Sequence, residues 1–75
     1  MREVGIRGES ITLGQLLKFA GVAATGGEAR LLLDTAAVRV NGELETRRGR
    51  TLRDGDVVDV ENGESLRVAA HRAGA

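Results

Sequence analysis

The sequence predicts an α+β domain, in which a two-helix hairpin packs on a small, mainly antiparallel β-sheet. Three observations predict it. Thr12 with Gln15, and Thr25 with Glu28, have capping-box spacing, and each pair opens a run of apolar residues at helical period. Asn41-Gly42 follows the alternating Val38-Arg39-Val40 and is the strongest short signal for a tight hairpin. Asn62-Gly63 repeats that signal between Val57–Glu61 and Ser65–Ala69.

The first helix starts at Thr12, whose hydroxyl takes one free amide while Gln15 reaches back to another. Leu13, Leu16, Leu17 and Ala20 then fall on one face, and Gly21 stops the helix in a left-handed conformation. The second helix starts at Thr25 and carries Ala29, Leu32, Leu33 and Ala36 on its apolar face. Gly26 and Gly27 occupy its first turn, where propensity alone would not place them, as if something approaches the backbone there. The short segment Gly21 to Ala24 joins the two helices. Val38 to Val40 turns at Asn41-Gly42 and returns over Glu43 to Arg47, and Arg48 to Asp56 reads as a charged loop. Residues 4–6 are expected to add a short edge strand.

The 75 residues leave room for one domain, expected over 1–70 with a frayed tail at 71–75. A chain this short buries only about 60% of its unfolded surface, so the core must be thin. It must also be aliphatic, because Phe19 is the sole aromatic residue. No cysteine is present, which excludes disulfides and a Cys-based metal site. Met1 to Gly8 carries Arg2 and Arg7 and no apolar run, which predicts neither a signal peptide nor a membrane span and makes a cytoplasmic location the default.

Net charge is zero, yet the distribution is uneven. Residues 1–53 hold nine Lys/Arg against six Asp/Glu, and residues 54–75 hold two against five. The sum therefore hides a basic half. Nothing resembles a catalytic set: there is no cysteine, and the single histidine, His71, stands in an Ala/Gly-rich tail where a solvated side chain is expected. Asp54, Asp56 and Asp59 are close enough in sequence to bind a divalent cation, but Asp54-Gly55-Asp56 reads better as a turn into a strand. Thr25-Gly26-Gly27 is too short for a phosphate-binding loop of the nucleotide-binding kind.

The basic residues carry more information. Arg47, Arg48 and Arg50 crowd together, with Arg39 near them across the hairpin and Arg53 just beyond. On spacing alone this strip reads equally as a surface loop neutralised in part by Glu43 and Glu45, or as a phosphate-binding face. With no stacking aromatics, recognition of folded RNA by shape and phosphates fits better than reading of splayed bases. The Thr25 helix start adds free amides and a positive dipole end. Lys18 and Arg30 lie off the apolar faces of their helices, and Arg30 has Asp34 one turn on as an ordinary partner.

Thr12-Leu-Gly-Gln-Leu-Leu-Lys18, Gly27-Glu-Ala-Arg-Leu-Leu-Leu33, Val38-Arg-Val-Asn-Gly-Glu43, Leu52 and Gly55-Asp-Val-Val58 occur in this order. As a set, over residues 11–60, they resemble the RNA-binding domain family named after small-subunit ribosomal protein four. The Gly-Gly-Glu-Ala and Glu-Thr-Arg-Arg-Gly stretches are similar to its short stand-alone bacterial members. The resemblance implies the αL motif, whose helical hairpin and first β-hairpin face structured RNA, ribosomal or transfer, on a ribosome or another ribonucleoprotein particle. It implies a non-catalytic monomer with no cofactor. By position, the RNA contacts it implies are Lys18, Thr25, Gly26, Gly27, Arg30, Arg39 and Asn41, with Arg47, Arg48 and Arg50 behind the hairpin.

Three positions depart from the family pattern. Thr25-Gly26 stands where many members have Ser-Arg, and Thr12 where many have a basic residue; both shift weight to the 47–50 strip. Ala36 stands where a glycine commonly ends the second helix, so that helix is expected to end differently or run longer. Two readings of other classes compete. One is a protein-interaction module that docks a basic partner on the acidic 54–64 surface. The other is a ubiquitin-like sulfur carrier, disfavoured because the sequence closes on Arg-Ala-Gly-Ala and not on Gly-Gly.

Overall fold

A computed structural model describes residues 1–71 of the chain. It contains β1 (Arg2–Arg7), β2 (Ser10–Thr12), α1 (Leu13–Phe19), α2 (Gly26–Asp34), β3 (Val38–Val40), β4 (Glu43–Leu44), β5 (Thr51–Arg53), β6 (Val57–Val60) and β7 (Ser65–His71). Five strands form one sheet in the order β1-β7-β6-β3-β4, and β2 pairs with β5 in a separate two-stranded sheet. Only β1 and β7 run parallel; the other pairs are antiparallel. The α+β class and its mainly antiparallel sheet are as expected.

Both helices begin where the capping signals place them. Thr12 accepts from the Gln15 amide while Gln15 accepts from the Thr12 amide, the full reciprocal pair. Thr25 accepts from the Glu28 amide in the same way, but the Glu28 carboxylate reaches one residue further back, to the amide of Ala24 at 2.7 Å. The second capping box is thus only half formed.

Both helices end in the same device. In α1 the amides of Gly21 and Val22 reach the carbonyls of Lys18 and Leu17, with Gly21 at φ 77°. In α2 the amides of Ala36 and Ala37 reach the carbonyls of Leu33 and Leu32, with Ala36 at φ 59°. This is the Schellman closure, which favours glycine at the left-handed position. Contrary to expectation, Ala36 neither extends α2 nor joins its apolar face. It adopts the glycine-like conformation and is exposed.

The alternation of β3 sends Val38 and Val40 inward and Arg39 outward. Asn41 and Gly42 both take positive φ, 51° and 84°, as a type I′ turn demands. The return strand stops at Leu44, not at Arg47. The 48–56 segment is not simply loop, since β5 crosses it and pairs with β2, an element without a separate signal in the sequence. Leu52 in the middle of β5 is completely buried. The edge strand expected at 4–6 is longer, Arg2–Arg7, and lies parallel to β7. β7 in turn continues through Ala70 and His71, where the frayed end was expected to begin. The rest of that tail, 72–75, and the His71 side chain lie outside the described residues.

Leu13, Leu16 and Leu17 of α1, Ala29 and Leu33 of α2, and the inward valines of β3 and β6 meet Ile6, Leu52, Leu66 and Val68 in one cluster. The core is aliphatic, and Phe19 is 63% exposed, outside it. The aspartates considered for a cation have other partners. Asp54 accepts from the Ala70 amide, Asp56 from the Arg53 amide and the Asn41 side chain, and Asp59 from the Ser65 hydroxyl. No helix among the described residues is long and apolar enough to cross a membrane.

Candidate nucleic-acid interface

The chain leaves the β4 edge at Leu44 and dips inward at Glu45, the only charged residue buried among those described, at 6% exposure. A buried carboxylate needs donors on its oxygens, and the next five residues supply them. Oε2 accepts from the amides of Thr46 and Arg47, both at 3.1 Å, and from Arg47 Nε at 3.2 Å. Oε1 accepts from Arg47 Nη2 at 3.2 Å and Arg50 Nη1 at 3.1 Å. Arg47 therefore holds Glu45 with two parallel bonds while its side chain stays 76% exposed. These contacts push the Glu45 carboxyl down to about 2, chiefly through the Arg47 side chain and then its amide, against an opposing push from burial. The Arg47 guanidinium is raised in return, mainly by the same bonds.

The backbone of the strip is fixed as firmly as its side chains. The carbonyls of Arg48 and Arg50 accept from the amides of Gly14 and Leu13, at 2.9 and 2.8 Å. Two of the free amides at the start of α1 are satisfied by this loop. Gly14 makes the approach possible, because a Cβ there would meet the Arg48 Cβ at 3.2 Å. Arg48 itself makes no side-chain hydrogen bond or ion pair among the described residues.

The strip borders a groove of about 420 Å³ lined by Arg30, Leu33 and Asp34 of α2 and by Thr46, Arg47, Arg48 and Gly49. Arg30 pairs loosely with Asp34 at 3.7 Å, both well exposed, as its spacing suggested. Gly26 and Gly27 lie one turn before Arg30, on the same side of the helix. A side chain at Gly26 would meet nothing within 4 Å, and one at Gly27 only the Thr25 hydroxyl at 3.7 Å, so no neighbour in the fold requires glycine there. The Thr25 hydroxyl is occupied by the Glu28 amide, and the Glu28 carboxylate partly offsets the positive end of the helix.

Arg30, Arg47, Arg48 and Arg50 thus come together, with Gly26 and Gly27 on the adjoining helix turn. Three other candidates do not join them. Lys18 lines a separate groove of about 570 Å³ with Arg7, Phe19, Ile6, Ile11, Ser10 and Gln15. Arg39 is on the face of the sheet opposite to Val38 and Val40, directly across from Asp59 and in a hollow that also contains Glu61. Asn41, though exposed, spends its side chain on intramolecular bonds, donating to Asp56 at 3.0 Å and accepting from the Val57 amide at 2.9 Å.

Sequence reasoning counted Glu45 only as partial neutralisation and missed its place as the anchor of the strip. The signal was present in the Glu-x-Arg-x-x-Arg spacing, but it becomes legible only once the chain is known to turn inward after Leu44. Phe19 beside Arg7 and Lys18 was missed as well, since no periodicity marks a lone exposed aromatic.

The model of the S4 domain family matches residues 4–69. The chain is 48% identical over 65 residues to a probable ribosome maturation protein, RlbA, of Bacillus subtilis (strain 168), covering 87% of this chain and 92% of that protein. Among solved structures, it is similar to the 30S ribosomal protein S4e of Thermoplasma acidophilum, with a TM-score of 0.63 and 27% identity. That match covers 89% of this chain but spans only 35% of the length of S4e. The fold, the order of its elements and these matches agree: the chain belongs to the S4 domain family.

Proposed function

We propose that this domain binds structured RNA, ribosomal or transfer, by neutralising phosphates, and that it does so without catalysis, as a cytoplasmic monomer on a ribosome or ribosome precursor. One observation carries the reading. Arg30, Arg47 and Arg48 line one groove together with a single carboxylate, Asp34, and Arg50 shares the buried Glu45 with Arg47. Gly26 and Gly27 open α2 one turn before Arg30, and a helix start and a cluster of guanidinium groups both attract an anion. Family membership and the ribosomal names of the relatives point the same way. The acidic 54–64 segment supports docking of a basic partner less well, because Asp54, Asp56 and Asp59 have internal hydrogen-bond partners.

Binding through three to four phosphates should make affinity fall by about 40- to 150-fold between 50 and 200 mM salt. Fluorescence anisotropy with a labelled RNA hairpin measures this. A change smaller than about threefold would rule out phosphate neutralisation. Charge reversal of Arg47 and Arg48 should abolish most of the salt dependence, and retention of the full slope would remove the strip from the interface.

A further inference from the structure

We propose that Glu45 is a positioning residue of this face: it holds Arg47 and Arg50 in one fixed fork, so that the groove favours the regularly spaced phosphates of folded RNA over a flexible single strand. The inference rests on the RNA-binding reading above and adds to it the residue that makes the face prefer folded RNA. A carboxylate in the middle of a cationic strip is otherwise a liability, since its charge opposes every phosphate and its burial costs hydration. Here both oxygens are fully engaged by Thr46, Arg47 and Arg50.

Arg47 turns Nε and one Nη2 hydrogen toward Glu45, which leaves Nη1 and the other Nη2 hydrogen facing outward. Arg50 commits only Nη1. Both side chains surrender their rotamer freedom on folding and not on binding. The loop backbone is clamped to the start of α1 through Leu13 and Gly14 as well. Donors at fixed spacing reward a ligand whose phosphates are also at fixed spacing. A single strand adjusts to donors in any arrangement and gains little from this order.

The test compares two labelled RNAs of equal length, a hairpin and an unstructured oligouridylate, by anisotropy at one salt concentration with the full chain. Glu45→Gln removes a negative charge, so electrostatics alone predicts tighter binding to both. Positioning predicts the opposite sign on the hairpin, a loss of about five- to tenfold, with the single strand unchanged or tighter. Hairpin affinity that rises or stays level would overturn the proposal.

Should Glu45→Gln fail to fold by circular dichroism, Arg47→Lys replaces it, because that side chain is 76% exposed and its charge is kept. Lysine cannot form the parallel bonds to Glu45, so the hairpin should again lose several-fold more than the single strand. Equal losses on both RNAs would overturn the proposal. A wild-type chain that binds neither RNA would instead refute the RNA-binding reading, and the positioning role with it.

Discussion

Ala36→Gly should stabilise this protein. The two helices close with the same hydrogen-bond pattern, but the left-handed position is Gly21 in one and Ala36 in the other. An alanine held at φ 59° carries a steric penalty of about 1–2 kcal/mol between its Cβ and the following carbonyl. Glycine removes that penalty but gives the unfolded chain more freedom, which returns about 0.4–1 kcal/mol. Little packing is lost, because Ala36 is exposed and its methyl lies in a shallow hollow beside Ala37 and Arg39. The net gain is about 0.5–1 kcal/mol, or about 2–8 °C in Tm for a domain of this size. Urea unfolding should show the midpoint rising with an unchanged slope, the sign of a pure stability change. Gly21→Ala is the mirror experiment. Its φ is 77°, and nothing lies within 4 Å of the added methyl, so the same two terms act with reversed sign and should cost about 0.5–1 kcal/mol. If Ala36→Gly proves neutral or destabilising while Gly21→Ala destabilises, the account of the α2 terminus is wrong.

Two further predictions follow from the same geometry. Asn41→Ala should destabilise by about 2–3 kcal/mol, because it removes both bonds of the side chain and leaves a methyl at positive φ; affinity of the folded protein for RNA should stay within about twofold, and a tenfold loss at full stability would make Asn41 a contact. Glu45 should make the protein acid-sensitive in a defined window. Its carboxyl ionises at 4.5 when unfolded and about 2 when folded, so the stabilisation is complete above pH 4.5 and is lost as pH falls toward 2. That loss is at most about 3 kcal/mol, reduced to about 1–2 by solvent screening at the exposed Arg47 fork. Glu45→Gln should flatten this limb in urea titrations across the window, and an identical acid limb in both proteins would refute the assignment.

What could be read in advance was what is encoded locally. Each helix start depends on a side chain three residues from the amide it meets, and each turn on an Asn-Gly pair, so no distant partner enters. β2 and β5 escaped because each has only three residues, and each exists through pairing with the other across some forty positions of chain. Leu52 was visible as an apolar residue but not as a strand centre, because its neighbours Thr51 and Arg53 read as part of a polar loop. The separation of Arg39 from the strip went unread for a different reason. The alternation that sends Val38 and Val40 inward already places Arg39 on the face away from the helices, but closeness in sequence to the strip was given more weight. Asn41 shows the opposite case: a turn residue that looked available as a contact is consumed by the strand beside it.

The same contrast bears on the charges. Composition makes the chain electrically neutral, and spacing makes Arg47, Arg48 and Arg50 repel one another. Neither describes the folded surface. The fold sorts the carboxylates by depth: Glu45 goes under the strip and Asp59 to the far face of the sheet, where Arg39 lies across from it. A carboxylate beneath a row of guanidinium groups cancels part of their repulsion for each other. It cancels less of their attraction for an anion arriving from outside, because that anion meets the outward N–H groups first and the buried charge from further away. Neutralisation from below is therefore compatible with a cationic face, and in this domain it is the means by which several arginines can stand together without a ligand.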